Sequence, residues 1–473
     1  MKQPNIVYIL IDDLGWRDLT CYGSSFYETP HLDRLANEGM RFTDAYAAAP
    51  VCSPTRASLM SGKYPARVGV TNYIGGCGVG RMCDVPYMHC LPTSERSIAT
   101  ALRDGGYQTW HVGKWHLGKH TNYPDKHGFD VNIGGCGWGM PNNGYFSPWG
   151  IETLPDGVDG DYLTERLSAE ATKLIRERDQ SKPFFLNLWH YTVHTPIQAP
   201  EDLIEKYRAK SKRLGLKEED AIEEGERLPC LHHGTDRVRR RKFQSDPVYA
   251  AMIETMDNSI GEVMAALEAE GIADDTLIVF KSDNGGLATA EGSPTCNAPL
   301  CEGKGWMYEG GNRVCQIARW PNLIPAGTEC SEPTTSPDWY PTLLEAANLP
   351  LDPEQHVDGK SLLPLLRGEQ DERGPIFWHY PHYSNQGGGA SASVRDGDWK
   401  LIEFYDINQR RELYNLREDI SETTDLAATE TEKLSVLTDQ LHGWQKEVEA
   451  LFPKPNRNWV QPPLEAGVDP AEV

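Results

Sequence analysis

Two acidic sites follow apolar runs in this chain, and their residue types suit a metal ion. Asp12 and Asp13 end the first run, and Asp283 with Asn284 ends a second run far along the sequence. Three carboxylates and one amide oxygen are ligands for hard cations such as Ca²⁺ or Mg²⁺, whereas zinc prefers nitrogen and sulfur. The four residues therefore predict a metal site, and Ca²⁺ is favoured because it tolerates irregular carboxylate geometry.

A cysteine stands at the head of the second chemical motif. The segment Cys52-Ser53-Pro54-Thr55-Arg56 runs on to Ser61-Gly62. Proline suits the first turn of a helix, so the segment predicts a helix that starts near Cys52 and carries Arg56 one turn later. The plain alternative is a buried thiol at the start of an ordinary helix.

Basic and imidazole side chains complete the set of reactive residue types. Lys114 and His116 are two residues apart after a short strand, so they project to the same side of an extended segment. His194 follows another strand, and Lys304 lies between two glycines. Two lysines, Arg56 and a metal ion make a clamp for an ester whose cleavage places negative charge on its oxygens.

The motifs, in this order, resemble those of type I, formylglycine-dependent sulfatases of the alkaline phosphatase superfamily. The resemblance implies that a maturation enzyme oxidises Cys52 to 3-oxoalanine (formylglycine) before folding is complete. It implies hydrolysis of a sulfate monoester. The catalytic residues it implies are Cys52, Arg56, Lys114, His116, His194 and Lys304. The metal ligands it implies are Asp12, Asp13, Cys52 in its modified form, Asp283 and Asn284.

The hydrated aldehyde gives a chemical reason for a cysteine at position 52. A gem-diol supplies an oxygen nucleophile, and a nearby cation or metal favours its alkoxide form. One hydroxyl can attack sulfur, and the other can then collapse to the aldehyde and expel sulfate without water attacking at sulfur. An unmodified serine or cysteine cannot perform that last step.

A sulfated sugar is the expected substrate, such as a glycosaminoglycan or another polysaccharide fragment. Polar loops rich in tryptophan and histidine favour it, as does the resemblance. The candidate sugar contacts are His190, Trp306, His379 and His382, with core or surface packing as the alternative for each.

Three other functions remain as alternatives. A phosphonate monoester or phosphodiester hydrolase of the same superfamily commonly carries an Asp-His pair where this chain has Asp283-Asn284. The complete catalytic set disfavours a binding protein without activity. Cys52 disfavours a phosphomutase or phosphatase, which in this fold would use serine or threonine as the nucleophile.

The elements that must position these residues alternate along the chain. Continuous apolar runs predict strands buried on both faces, and helical patterns lie between them. The strands are expected at 5–11, 109–112, 184–190 and 275–282, and the helices at 30–39, 94–104, 161–179 and 247–271. This order predicts a mainly parallel sheet with its site beyond the carboxyl ends of the strands. The resemblance implies an alkaline-phosphatase-like α/β sandwich.

Two domains are expected. Residues 1–368 form the catalytic domain, with a charged insertion at 205–243, and residues 369–473 form a smaller α+β domain with a tail. The basic run at 237–242 within the insertion is either a solvated surface or a contact for an anionic substrate.

Composition excludes some partners and leaves others open. The 473 residues carry 46 basic and 69 acidic side chains, a formal net charge of −23, which argues against nucleic acid and against anionic membranes. No apolar run is long enough to span a membrane. A small sulfated carbohydrate and the maturation enzyme are the expected partners, and the oligomeric state stays open.

The cysteines and the amino terminus bear on the compartment. The eleven cysteines include no Cys-x-x-Cys motif, so the sequence supports neither a zinc ribbon nor a thioredoxin motif. Most of them are expected to be free, buried thiols in a reducing compartment. No signal peptide is visible, so the chain is expected in the cytoplasm, or in the periplasm or outside the cell if a signal was removed. In that second case Cys77, Cys83 and Cys90 could form disulfides.

Overall fold

A computed structural model describes residues 3–406 and 409–459 of the chain. Its centre is an eight-stranded sheet. The strands of this sheet are β1 Asn5–Ile11, β2 Met40–Phe42, β4 Gln108–Gly113, β5 Val131–Ile133, β6 Phe184–Trp189, β9 Thr276–Ser282, β10 Gln316–Arg319 and β11 Thr328–Cys330. They lie side by side in the order β11-β2-β10-β9-β1-β6-β4-β5. A two-stranded sheet joins β3 Ala45–Tyr46 to β12 Thr334–Thr335. The expected mainly parallel sheet is confirmed, and β10 is the strand antiparallel to its neighbours.

Helices cover this sheet in two groups. The first comprises α1 Pro30–Glu38, α5 Leu163–Glu177, α6 Glu201–Leu214 and α7 Pro247–Ala269, and α7 contacts the other three. The second comprises α2 Cys52–Ser61, α3 Pro65–Val68, α4 Ile98–Asp104, α9 Trp339–Ala346 and α10 Leu363–Leu366. The expected helix at 94–104 begins only at Ile98, because the Ser97 side chain accepts a hydrogen bond from Thr100 N–H and caps the helix there.

Four parallel strands end at one edge of the central sheet. Strand β1 lies between β6 and β9, and β6 also pairs with β4. The register sets Leu10 opposite both Trp189 and Lys281, so the residues that follow each strand emerge side by side. Every residue of β6 and β9 is buried, which matches their continuous apolar character.

A smaller antiparallel sheet forms the carboxyl-terminal part. Its strands run in the order β13 Ile376–Tyr380, β14 Ser391–Asp396, β15 Trp399–Phe404 and β16 Arg411–Asn415, and α11 Thr431–Glu447 packs on them. This confirms the expected smaller α+β unit, whereas a boundary at residue 368 stays a prediction. Residues 460–473 of the expected tail lie outside the described residues.

The charged insertion is a helix and a hairpin. Helix α6 leads to β7 Ile222–Arg227 and β8 Arg237–Arg241, which pair with each other. Within the basic run, Arg240 bonds to Glu226 and Glu302, and Arg241 bonds to Glu218. These two arginines therefore hold the insertion together through ion pairs with acids.

Two observations concern membranes and thiols. None of the helices in the described residues is both long and apolar enough to cross a membrane. All eleven cysteines, Cys77, Cys83 and Cys90 among them, are unpaired thiols in the structure.

Candidate active site

The carboxyl ends of the central strands bring the acidic residues together. Asp12 and Asp13 follow β1, and Asp283 follows β9, which is hydrogen-bonded to it. One carboxylate oxygen from each of the three lies within 4.8 Å of the others, and all three side chains are buried. Asn284 joins the group, because its Nδ2 donates to Oδ1 of Asp13 at 2.8 Å.

Each carboxylate contacts a cation, and Arg56 contacts two of them, since its Nη2 also lies 3.6 Å from Oδ1 of Asp12. Lys114 Nζ lies 2.5 Å from Oδ2 of Asp12, and Lys304 Nζ lies 2.7 Å from Oδ2 of Asp13. Arg56 donates from Nε and Nη2 to Oδ2 of Asp283, at 3.0 and 2.8 Å. The three predicted cations therefore converge from α2, the end of β4 and the loop before α8 Glu309–Asn312.

Burial and crowding shift the pKa values of two of these acids in opposite directions. Burial raises the pKa of Asp12, Lys114 opposes the rise, and Asp283 and Asp13 add to it. Burial also acts on Asp13, but Lys304 and His194 outweigh it and hold the pKa of Asp13 well below its usual range. Three carboxylates crowded in a buried space make the charged form of Asp12 costly, and a further cation beside it would lower that cost.

Cys52 is the first residue of α2, so its side chain lies at the positive end of a helix dipole. Its Sγ lies 3.3 Å from Nδ1 of His116, whose Nε2 in turn contacts the carbonyl oxygen of Ile74 at 3.1 Å. His116 adopts a left-handed backbone with φ of 55°. Burial raises the pKa of the Cys52 thiol and, with Lys114, lowers that of His116 well below its usual value.

His194 and Lys304 meet over Asp13. His194 Nε2 lies 3.1 Å from Lys304 Nζ and 3.6 Å from Oδ2 of Asp13. Its Nδ1 contacts the carbonyl oxygen of Thr195 at 2.9 Å, which suits a proton on Nδ1. Burial and the nearby Lys304 lower the pKa of His194 to about 3, so its ring is neutral near pH 7.

The acidic cluster fits a divalent cation. Oδ1 of Asp12 and Oδ1 of Asn284 are buried, and neither has a hydrogen-bond partner in the described part of the chain. Buried polar oxygens without partners are costly, and a cation bound between them would remove that cost. All four predicted residues offer oxygen, which suits Ca²⁺ or Mg²⁺.

The four candidate sugar contacts each have partners within the fold, and sugar contact stays a prediction for them. His190 is fully buried, with Nε2 at 3.1 Å from Ser259 Oγ on α7. Trp306 donates its indole N–H to the carbonyl oxygen of Gln386 at 2.9 Å and is 8% exposed. Their burial is that of packed interior side chains.

The two histidines of the small sheet also have partners elsewhere. His379 lies between the Tyr405 hydroxyl and the Leu451 carbonyl oxygen, each 2.9 Å from one ring nitrogen. His382 contacts Oδ1 of Asp84 at 2.5 Å and Oγ1 of Thr71 at 2.9 Å. These contacts are with the protein itself, and a role of either histidine in binding sugar stays a prediction.

Sequence reasoning missed two residues whose charge or hydroxyl acts on the cluster. Glu291 contributes to raising the pKa of Lys304, after Asp13. Tyr73, whose pKa burial and then Glu291 raise to about 12, is influenced by both Lys304 and Cys52. Neither residue belongs to a motif, and each comes from a loop whose course depends on the tertiary fold.

Known proteins match this chain over most of its length. The sequence profile of the family described as Sulfatase matches residues 4–349, and that described as N-sulphoglucosamine sulphohydrolase, C-terminal, matches residues 302–449. A sulfatase of Formosa agariphila is 31% identical over 90% of this chain and 85% of its own length. The N-acetylgalactosamine-6-sulfatase of Canis lupus familiaris is 32% identical, covering 80% of this chain and 69% of its own.

Solved structures agree in fold. The crystal structure of Ps i-CgsB in complex with k-i-k-neocarrahexaose has a TM-score of 0.74 and 30% identity, covering 94% of this chain and 93% of that one. The Sulfatase profile matches nearly three quarters of the chain, and the acidic cluster lies at the strand ends of the shared fold. The chain belongs to the sulfatase family, as a type I sulfatase of the alkaline phosphatase superfamily and hence a sulfuric ester hydrolase.

Proposed function

We propose that this chain hydrolyses sulfate monoesters of sugars, using formylglycine made from Cys52 and a bound Ca²⁺. The observation that carries the proposal is the placement of Cys52 at a helix N-terminus, within reach of His116 and the Arg56, Lys114 and Lys304 cations. A sugar substrate is supported by the names of similar proteins, which include an N-acetylgalactosamine-6-sulfatase and a complex of Ps i-CgsB with k-i-k-neocarrahexaose.

The positions of the side chains suggest a separate role for each in binding sulfate, contacting residue 52 and transferring a proton. Lys114 and Lys304, whose charges both act on Cys52, would hold the sulfate oxygens, and Arg56, one helical turn further along α2, would stabilise the hydrated aldehyde. His116 contacts the reactive atom of residue 52 directly. His194 lies beside Lys304, where the negative charge of a bound sulfate would favour its protonated ring, the form that can pass a proton to the departing alcohol oxygen.

Two groups would add chemistry that these side chains lack. The hydrated aldehyde at position 52 supplies an oxygen nucleophile. Asp12, Asp13, Asp283 and Asn284 would hold a divalent ion, which would supply positive charge to favour the ionised form of that nucleophile.

The burial of the cysteine motif bears on when it is modified. Cys52 is 3% exposed and Arg56 is fully buried, so an enzyme could not bind this segment in the folded protein. The burial supports oxidation of the extended chain before α2 forms. Coexpression with a formylglycine-generating enzyme should therefore produce the aldehyde at residue 52, detectable by peptide mass spectrometry.

A Cys52→Ala variant tests the nucleophile. We expect turnover of 4-nitrophenyl sulfate to disappear while circular dichroism and the melting temperature stay close to those of the wild type, since the substitution removes one buried sulfur atom. Full activity of wild-type protein whose residue 52 is still a thiol would contradict the mechanism.

Substrate class is tested by comparing ester types on the matured enzyme. Aryl sulfates should be turned over in preference to a phosphonate monoester of the same phenol. A large preference for the phosphonate would favour the alternative hydrolase instead. Defined sulfated mono- and disaccharides would then identify the sugar by release of inorganic sulfate.

A further inference from the structure

Four side chains from four separate segments form a polar cluster near Lys304, which we call the rim cluster: Tyr73, His233, Glu291 and Asn385. The amide of Asn385 donates a hydrogen bond to the Tyr73 hydroxyl. The next residue, Gln386, donates from its side chain to the Glu291 carboxylate. Glu291 and Asn385 both act on the pKa of His233, which burial and His232 lower.

The rim cluster is anchored to the residues that surround Cys52. Ile74, adjacent to Tyr73, donates its backbone N–H to Ser53 Oγ at 3.0 Å, and its carbonyl oxygen contacts His116 Nε2 at 3.1 Å. Tyr73 is therefore one residue from a segment that touches both the nucleophile helix and the histidine beside Cys52.

Glu291 brings a negative charge to the sulfate end of the site. Its charge raises the pKa of Lys304, although burial opposes this and Asp13 contributes more. Its charge also helps to raise the pKa of Tyr73. Contacts link Glu291 to the segment of Lys304: Gln386, which donates to the Glu291 carboxylate, has its Oε1 2.8 Å from where a Cβ on Gly305 would stand, and Gly305 directly follows Lys304.

The Glu291 side chain is exposed and held in a costly conformation. Its φ is 53°, and Gly292 and Ser293 continue the left-handed turn with φ of 94° and 46°. Strand β8 braces this turn, because the backbone N–H of Arg239 donates to the carbonyl oxygen of Thr289 at 2.8 Å. Within residues 3–406 and 409–459, Glu291 forms no ion pair with a lysine or arginine.

Two further polar groups of the rim cluster, the His233 ring and the Asn385 amide, interact with each other. Nε2 of His233 and Oδ1 of Asn385 are buried, and neither forms a hydrogen bond of full geometry with the described residues. A nitrogen and an amide oxygen of this kind match the alternating donors and acceptors of sugar hydroxyls. The hydroxyl of Tyr73 adds a third such group.

We propose that the rim cluster binds the sugar next to the sulfate ester and that Glu291 selects against a second negative charge there. The preferred sugar is a neutral or amino sugar, and uronates or sugars with an adjacent second sulfate are disfavoured. The proposal rests on the proposed function and adds the substrate's charge to it. A carboxylate without a cationic partner repels a ligand anion at short range and attracts an ammonium group.

Two aryl sulfates of nearly equal shape test this selection: 4-carboxyphenyl sulfate and its neutral carboxamide. We expect the wild type to prefer the carboxamide in kcat/KM, and Glu291→Gln to raise the relative kcat/KM of the carboxylate ester by about threefold to tenfold. Raising the salt concentration should shrink the preference of the wild type, because a partly exposed charge is screened.

Glu177→Gln is the matched control. Glu177 is exposed at the end of α5, just before β6 begins and so at the edge of the sheet opposite the site. The Glu177→Gln substitution removes the same charge from the molecule and should leave the ratio of the two kcat/KM values, carboxylate ester to carboxamide ester, unchanged. An unchanged ratio in Glu291→Gln, or a wild type that prefers the carboxylate, overturns the selection while leaving sulfatase activity intact. Failure of the wild type to cleave either ester would instead overturn the proposed function and the selection with it.

Discussion

At the scale of residues, the centre of the site is an electrically balanced set of six side chains. The carboxylates of Asp12, Asp13 and Asp283 face an equal number of cations, those of Lys114, Lys304 and Arg56. Adding a divalent cation leaves two positive charges in a buried space, where charges interact more strongly than in water. A molecule with a formal net charge of −23 can therefore attract a sulfate at this one place.

Loss of the metal should be visible as a loss of stability. Chelation should lower the melting temperature by several degrees, because ion binding at 100 to 1,000 times Kd stabilises the folded state by about 3–4 kcal/mol. Readdition of Ca²⁺ should restore the melting temperature. In the Asp283→Asn variant, the melting temperature should no longer respond to Ca²⁺. If chelators leave the melting temperature of the wild type unchanged, the metal site is contradicted.

The role of His194 predicts a dependence on the leaving group. His194→Ala should slow esters of poorly acidic alcohols by about 10²- to 10⁴-fold and slow 4-nitrophenyl sulfate much less, since nitrophenolate departs without a proton. A plot of log kcat/KM against leaving-group pKa should steepen. His190→Ala, a histidine outside the cluster, should shift both substrate types equally, and equal losses in His194→Ala would remove its role as an acid.

At the scale of elements, one helix caps another across the core. Asp257 on α7 accepts hydrogen bonds from the backbone N–H groups of His31 and Leu32, at 3.0 and 2.8 Å, in the first turn of α1. Helix α1 has no side-chain cap of its own, so α7 satisfies amides that would otherwise be orphaned. Burial nevertheless raises the pKa of Asp257 from 3.8 to about 6.

This raised pKa predicts a pH dependence of stability. The folded state holds a proton on Asp257 that the unfolded chain releases near pH 4, so stability falls as pH rises from 4 to 6. The loss from this group is about 3 kcal/mol, at 1.36 kcal/mol per pKa unit. Urea denaturation across that range should show a smaller fall for Asp257→Asn, and an identical slope in both proteins would contradict the assignment.

At the scale of the whole molecule, a buried ion triad joins the small sheet to the active-site loop. Lys400 on β15 lies 2.8 Å from Glu309 and 2.9 Å from Glu422, and all three side chains are fully buried. Glu309 precedes Gly310, whose carbonyl oxygen lies 1.7 Å from where a Cβ on Gly285 would stand. Gly285 directly follows Asn284, so the triad supports a contact next to a metal ligand.

Removing the lysine should strongly destabilise the protein. Lys400→Met leaves two buried carboxylates facing each other, which should cost about 3–5 kcal/mol in the free energy of unfolding. Replacing Glu422 by Gln in the same protein should recover part of that loss, because it removes one of the facing charges. A loss below about 1 kcal/mol in Lys400→Met would show that the triad contributes little.

Local pattern was enough to predict most of the framework. Continuous apolar runs identified β1, β6 and β9, and the residues after them were expected at one edge because parallel strands end together. The division between catalytic and small domains at residue 368, the roles of individual side chains and the compartment stay predictions.

The sequence by itself determined which residue types could act together, because the residues that could bind a metal or an anion lie in short motifs beside the strand ends. Only the tertiary structure decided which side chains without a motif reach the site. It placed His190, Trp306, His379 and His382 in packed positions and brought Tyr73 and Glu291 towards Lys304. The reason is physical: the course of a loop depends on long-range packing, whereas a buried strand is recognisable from its own apolar residues.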